Sequence, residues 1–163
     1  MSPRRRSSRD LLQRRPFAQL SKQELRLLDA MWAGIPVAPG TVLAREGRRC
    51  LEFAVVVDGM ACVTREGREI ALLEPGEHFG EIAIVRAIPN PVTIVASTAM
   101  TLEVMDLREF RAAYTAIPVL RDHIDHEIER RIATWLDPLS SLPALGPAPT
   151  PPPAHDGDYT LAS

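Results

Sequence analysis

The segment His78-Phe79-Gly80-Glu81-Ile82-Ala83-Ile84-Val85, continued through Arg86-Ala87-Ile88-Pro89-Asn90-Pro91-Val92-Thr93, decides how this chain is read. It opens as a strand end and passes into one short helical turn. The glycine lets backbone run close to a ligand, and the first amides of the turn, which have no partner inside it, make a seat for a small anion.

Outward from this turn, Ile35 to Asp106 reads as short strands divided by glycines. The runs are Thr41 to Ala44, Leu51 to Val57, Met60 to Thr64, Ile70 to Leu73, Val92 to Ala96 and Met100 to Met105. Strands at such regular spacing predict a sandwich or jelly roll. Asp58-Gly59 and Glu66-Gly67 have the composition of hairpin turns. On the N-terminal side, Ser21-Lys22-Gln23-Glu24 is a capping box that predicts a helix from Lys22, with Leu25, Leu28, Met31 and Trp32 on one face as far as Gly34. On the C-terminal side, Asp106-Leu107-Arg108-Glu109 predicts a second helix start and Pro118 a third. Leu120, Ile124, Ile128, Ile132 and Leu136 then form an i, i+4 stripe beside Trp135.

The stretch from Phe79 to Thr93 resembles the phosphate-binding cassette of the cyclic-nucleotide-binding domain family. The glycine order through Pro39-Gly40, Glu46-Gly47, Asp58-Gly59 and Pro75-Gly76 resembles that family's β-roll as well, so the likeness covers residues 17 to 136. It implies a mainly β fold with flanking helices: a double-stranded β-helix jelly roll, an N-terminal helix and a C-terminal helical pair. Residues 1–15 are expected to be a disordered Arg-rich arm, 16–136 the domain, and 137–163 a disordered Pro-rich tail. In the family, the last helix lids the ligand and pairs with its twin in dimeric members. The stripe here either makes such a homodimer or packs on its own β-roll.

The resemblance also implies roles. The cassette Glu, here Glu81, takes the ribose hydroxyl, while Gly80, Ile82 and Ala83 supply amides and close approach to the cyclic phosphate. Val92 and Thr93 take the small positions that end the motif. The Arg that pairs the phosphate falls, by counting from Glu81, on Pro91, which offers neither charge nor N–H. A charge-assisted bond contributes roughly 1.5–3 kcal/mol, so this loss weakens binding by on the order of ten- to a hundredfold. Arg86 lies inside the cassette as a displaced positive charge. Aligned on Pro118, Arg131 falls where some members contact the base, and Trp135 where a polar base contact sits. The expected ligand is cyclic AMP or cyclic GMP, with no resident cofactor. Two functions stay open: a stand-alone sensor with weakened or altered nucleotide binding, and a non-sensing β-roll scaffold for an unknown protein partner.

Composition narrows the alternatives. With 163 residues, 45% hydrophobic and 25% charged, the chain fits one domain, and a net charge of −2 gives no global pull toward nucleic acid or anionic membrane. Charge is uneven, since the first fifteen residues carry six Arg against one Asp while no Lys or Arg follows Asp137. The acidic, proline-rich residues after Leu136 offer no helix pair of the helix-turn-helix kind, so sequence-specific DNA binding is not expected. Apolar runs such as Ala54 to Val57 fall far short of the roughly 20 residues of a membrane helix. Cys50 and Cys62 are the only cysteines, without Cys-x-x-Cys spacing, and a reduced cytoplasmic setting is expected; Arg in place of Lys almost throughout suggests a GC-rich bacterium. Jelly-roll metalloenzymes need clustered histidines, but the β-region holds His78 alone, with His123 and His126 on the last helix. Neither a metal site nor an enzyme activity is expected.

Overall fold

The computed structural model describes residues 17–136 and Leu161. The predicted arm, and the predicted tail apart from Leu161, lie outside the described residues. After a 3₁₀ turn at Phe17–Gln19 comes helix α1, Lys22–Asp29. Its capping box is formed: Ser21 Oγ accepts from the Glu24 amide at 3.2 Å and Glu24 Oε2 accepts from the Ser21 amide at 2.8 Å. The strands are β1 (Ala33–Val37), β2 (Val42–Ala44), β3 (Glu52–Asp58), β4 (Ala61–Arg65), β5 (Arg68–Leu73), β6 (His78–Phe79), β7 (Thr93–Ala96) and β8 (Met100–Asp106). Between β6 and β7 sits helix α2, Glu81–Arg86, and after β8 come α3, Leu107–Ala116, and α4, Pro118–Arg131.

All pairings are antiparallel, in two four-stranded sheets ordered β1-β8-β3-β6 and β2-β7-β4-β5. The expected jelly roll with flanking helices is therefore present. Glu66-Gly67 is the predicted hairpin: Arg65 faces Arg68, and the two turn residues have φ of 51° and 77°, the left-handed pair a tight type I′ turn demands. Asp58-Gly59, by contrast, is not a hairpin. β3 pairs with β8 and β6 while β4 pairs with β7 and β5, so this turn is a corner carrying the chain from one sheet to the other.

The first helix also ends earlier than its apolar spacing predicts. It stops at Asp29, and Gly34 lies inside β1. The backbone of Ala33–Val37 finds its partners in β8, from Ala33 opposite Val104 to Val37 opposite Met100, which a continued helix would forfeit. Met31 and Trp32 still pack inward, Trp32 edge-on to Phe17 with ring centroids 6.1 Å apart.

β3 shows how the layers share residues. Alternation sends Ala54 and Val56 into the space between the sheets and Phe53 and Val55 to the opposite face, where the helices lie. The strand is consequently buried on both sides. On the helical face, Phe53 stacks on Phe110 at 4.5 Å, and Leu28, Met105, Ile117 and Ile124 close the layer. The α3 start is as predicted, with Asp106 and Glu109 forming a second capping box and Pro118 opening α4. Leu120, Ile124 and Ile128 of the predicted stripe are buried against this same layer, so this part of the stripe packs on its own β-roll. Its last turn departs from the predicted α-helix: Ile132–Leu136 is wound as a π-helix, which directs Trp135 and Leu136 toward the cluster between the sheets. Both cysteines are free thiols, and burial pushes each up to about 11.

Candidate functional site

β6 delivers the chain to α2 through Gly80, whose φ of 98° is open to glycine but strained for other residues. A Cβ at this position would collide with the Glu52 carbonyl oxygen of β3. The close approach that the glycine permits here is to the neighbouring strand, where the sequence reading expected one to a ligand. The turn that follows places Glu81 with 1% of its surface exposed, at the inner wall beneath α4.

Burial alone would raise the Glu81 pKa. The Arg131 guanidinium and His78 outweigh it and hold the carboxyl at about 2, against an ordinary 4.5. Arg131, itself 1% exposed, reaches down from the end of α4, donates through Nη1 to Glu81 Oε1, and donates to the His78 carbonyl oxygen at 2.6 Å. His78 Nδ1 lies 3.1 Å from Glu81 Oε2. An ionised carboxylate only accepts, so Nδ1 carries the proton in this contact. Trp135 covers the guanidinium, with its ring 4.5 Å from Arg131 Cζ. Arg131 Nε is buried without a hydrogen-bond partner; the Glu127 carboxylate stands 3.8 Å away.

Of the residues singled out by sequence, Gly80, Glu81, Ile82, Ala83, Val92 and Arg131 line one cavity, joined by Pro91, Asn90 and Trp135. Its volume is about 20 Å³, room for one water. Arg86 is elsewhere: its half-exposed side chain pairs with Glu129 on α4. Thr93 also faces away from the cavity, exchanging hydrogen bonds with Glu46, whose amide donates to Thr93 Oγ1 at 3.1 Å. Arg131, which the resemblance implied as a base contact, is bonded to the Glu81 carboxylate from 50 residues downstream. A local motif count could not register it. Asn90 was overlooked as well, although a polar residue held between Pro89 and Pro91 inside the motif is a usable signal. It is buried, its amide donates to the Arg48 carbonyl at 2.9 Å, and its own carbonyl accepts from Gly47 at 2.9 Å. The largest of the cavities described, about 440 Å³, lies on the other side of α2 near Arg49 and Arg111; Ile84, Ala87, Ile88 and Pro89 of the cassette line it, and it shares only Ala83 with the cavity at Glu81.

Among the described residues no group of three or more His, Cys, Asp or Glu is arranged to hold a metal ion, and no helix is long and apolar enough to cross a membrane.

The two sheets with the short helical turn set between β6 and β7 define a β-roll domain, and comparison with known proteins agrees. The family described as cyclic nucleotide-binding domain matches residues 35–116, half of the chain. The chain belongs to that family. It is 32% identical over 106 residues to a cAMP-dependent protein kinase regulatory subunit of Yarrowia lipolytica, covering 64% of this chain and 27% of the relative. It is 31% identical over 105 residues to the acetyltransferase Pat of Mycolicibacterium smegmatis, covering 62% and 31%. Among solved structures, the regulatory domain of Toxoplasma gondii PKA with cAMP superposes at a TM-score of 0.69, with 16% identity over 78% of this chain and 50% of that one. The chain spans a third or less of these two curated relatives, and the matched part is a regulatory domain of the cyclic-nucleotide-binding kind.

Proposed function

We propose that this domain is a cyclic-nucleotide sensor whose nucleotide-free arrangement is locked by the Arg131–Glu81 pair. One observation carries the reading: the carboxylate that the family uses for the ribose hydroxyl is buried, ionised and bonded to a guanidinium on the helix above it. A cavity of about 20 Å³ cannot take a nucleotide, which needs a pocket of several hundred Å³. Entry therefore requires α4 to lift. A ribose hydroxyl donating to Glu81 replaces one Arg131 bond, and the freed guanidinium can then face the cyclic phosphate in place of the charge absent at Pro91. Because the ligand must break an existing pair, its affinity is lower than that of a receptor with a preformed cation, in the micromolar range or weaker. The nucleotide shifts the position of α4 only by binding the lifted arrangement better than the closed one. A protein that reads the α4 surface is the downstream partner in this scheme, and the nucleotide is cyclic AMP or cyclic GMP.

Calorimetric titration with both nucleotides tests this. Micromolar binding that is lost in Glu81→Gln supports the sensor, and no heat at millimolar nucleotide defeats it. The closed cavity and Pro91 favour a second reading, a scaffold that no longer senses nucleotide. Under that reading the native chain is silent and Pro91→Arg gains binding.

A further inference from the structure

A second cavity of about 20 Å³ abuts the cassette, and Ala44, Phe79 and Asn90 form walls of both. One of its walls comes from far along the chain. Leu161 lines it, packs on the apolar cluster between the sheets, and donates its amide N–H to Glu52 Oε1. We propose that this groove is a peptide-recognition site filled by the chain's own segment around Leu161.

Three features of the groove fit such an occupant. Leu43, Ala44 and Phe79 give an apolar floor for one aliphatic side chain, and its burial is the main attraction. Glu52 supplies a carboxylate acceptor for a main-chain N–H, the kind of charge-assisted contact that fixes a peptide's register. Arg45, Arg48 and Arg49 line the same groove, while the sequence from His155 to Ser163 contains Asp156 and Asp158 and no Lys or Arg. The matching chemistry is an acidic peptide with one aliphatic anchor. Tethering makes a modest contact sufficient, because a linker of this length presents its end at roughly millimolar effective concentration. The seat also touches the cassette, since the carbonyl of Glu52 is the atom against which Gly80 is packed.

The test is hydrogen exchange on the full-length chain, read at the Leu161 amide and across Leu43–Glu52. Exchange at Leu161 at least about tenfold slower than in an unstructured reference peptide is expected, with release in Leu161→Asp and a smaller, several-fold release in the surface variant Arg49→Glu. Adding a synthetic peptide of residues 155–163 to the Leu161→Asp chain restores protection across Leu43–Glu52, whereas the same peptide carrying Leu161→Asp does not. An unprotected Leu161 amide in the native chain overturns the proposal, as does protection unchanged in both variants. Protection that rises with protein concentration assigns the occupant to a second copy and overturns the intramolecular seat. None of these readouts involves a nucleotide, so they stand or fall independently of the sensor reading.

Discussion

The two apolar clusters of this domain are built differently. Between the sheets, Val56, Ala61, Val63, Leu73, Ile94 and Leu102 are small or branched and hang from strands whose backbones are tied to one another by ladders. On the outer face, Phe53, Phe110, Ile117 and Ile124 join helices to sheet through side chains, and at the edge of that layer lies a buried charged group, Arg131 with Glu81 and His78. A layer held by side chains can separate without dissolving a ladder. The sandwich is therefore the frame, and the helical layer, α4 above all, is the part that can shift without loss of strand pairing.

Substitutions at the charged joint break this contrast most severely. Glu81→Gln leaves the Arg131 guanidinium buried without its counter-charge, and a loss of about 3–5 kcal/mol is expected by denaturant unfolding. The double variant Glu81→Gln/Arg131→Met recovers most of that loss, because apolar replacement of both partners removes the unpaired charge. If instead the double variant is as unstable as the single, the cost lies in the cassette backbone and the joint is not electrostatic.

Next in size is a pH effect with a fixed sign. Glu81 titrates at about 2 when folded and at 4.5 ordinarily, because Arg131 and His78 overcome the opposing effect of burial. Its stabilisation is complete above pH 4.5 and is lost as pH falls from 4.5 through about 2, on the order of 3 kcal/mol in all. Unfolding followed from pH 6 to 2 should therefore show a steeper acid loss in the native chain than in the double variant. Equal slopes would remove Glu81 as the cause.

Gly80→Ala probes the seam between frame and cassette. With φ at 98° and the Glu52 carbonyl in the way, a loss of about 1–3 kcal/mol is expected, and circular dichroism should show the strands retained. Arg86→Ala marks the lower end. Its pair with Glu129 is half exposed at the arginine and 70% exposed at the glutamate, so thermal unfolding should change by less than about 0.5 kcal/mol.

Features decided by near neighbours were legible in the sequence. Ser21 with Glu24, Asp106 with Glu109, Pro118 at a helix start and Glu66-Gly67 at a tight turn each involve residues within a few positions, where composition dictates geometry. The strand end and helical turn around Gly80 were readable for the same reason. Asp58-Gly59 has equally good turn composition but was misread, because β3 takes its partners from residues more than twenty positions away. At the site, Glu81, Gly80 and the amide-bearing residues followed from the motif, and Arg131 was located on the right helix. Its burial and its pairing with Glu81 were not readable, since arginines near a helix end are ordinarily solvated and nothing local points to a carboxylate 50 residues earlier.

The π-wound turn Ile132–Leu136 has a mechanical corollary. Each residue of an α-helix advances about 100° around its axis, so inserting or removing one extra residue in a turn swings everything beyond it through that angle. Trp135 sits on the wide turn, one side of its ring against Arg131. Tightening the coil by a single hydrogen-bond step would swing the indole off the guanidinium and re-aim whatever chain follows, so this short segment works as a screw thread at the edge of the pocket.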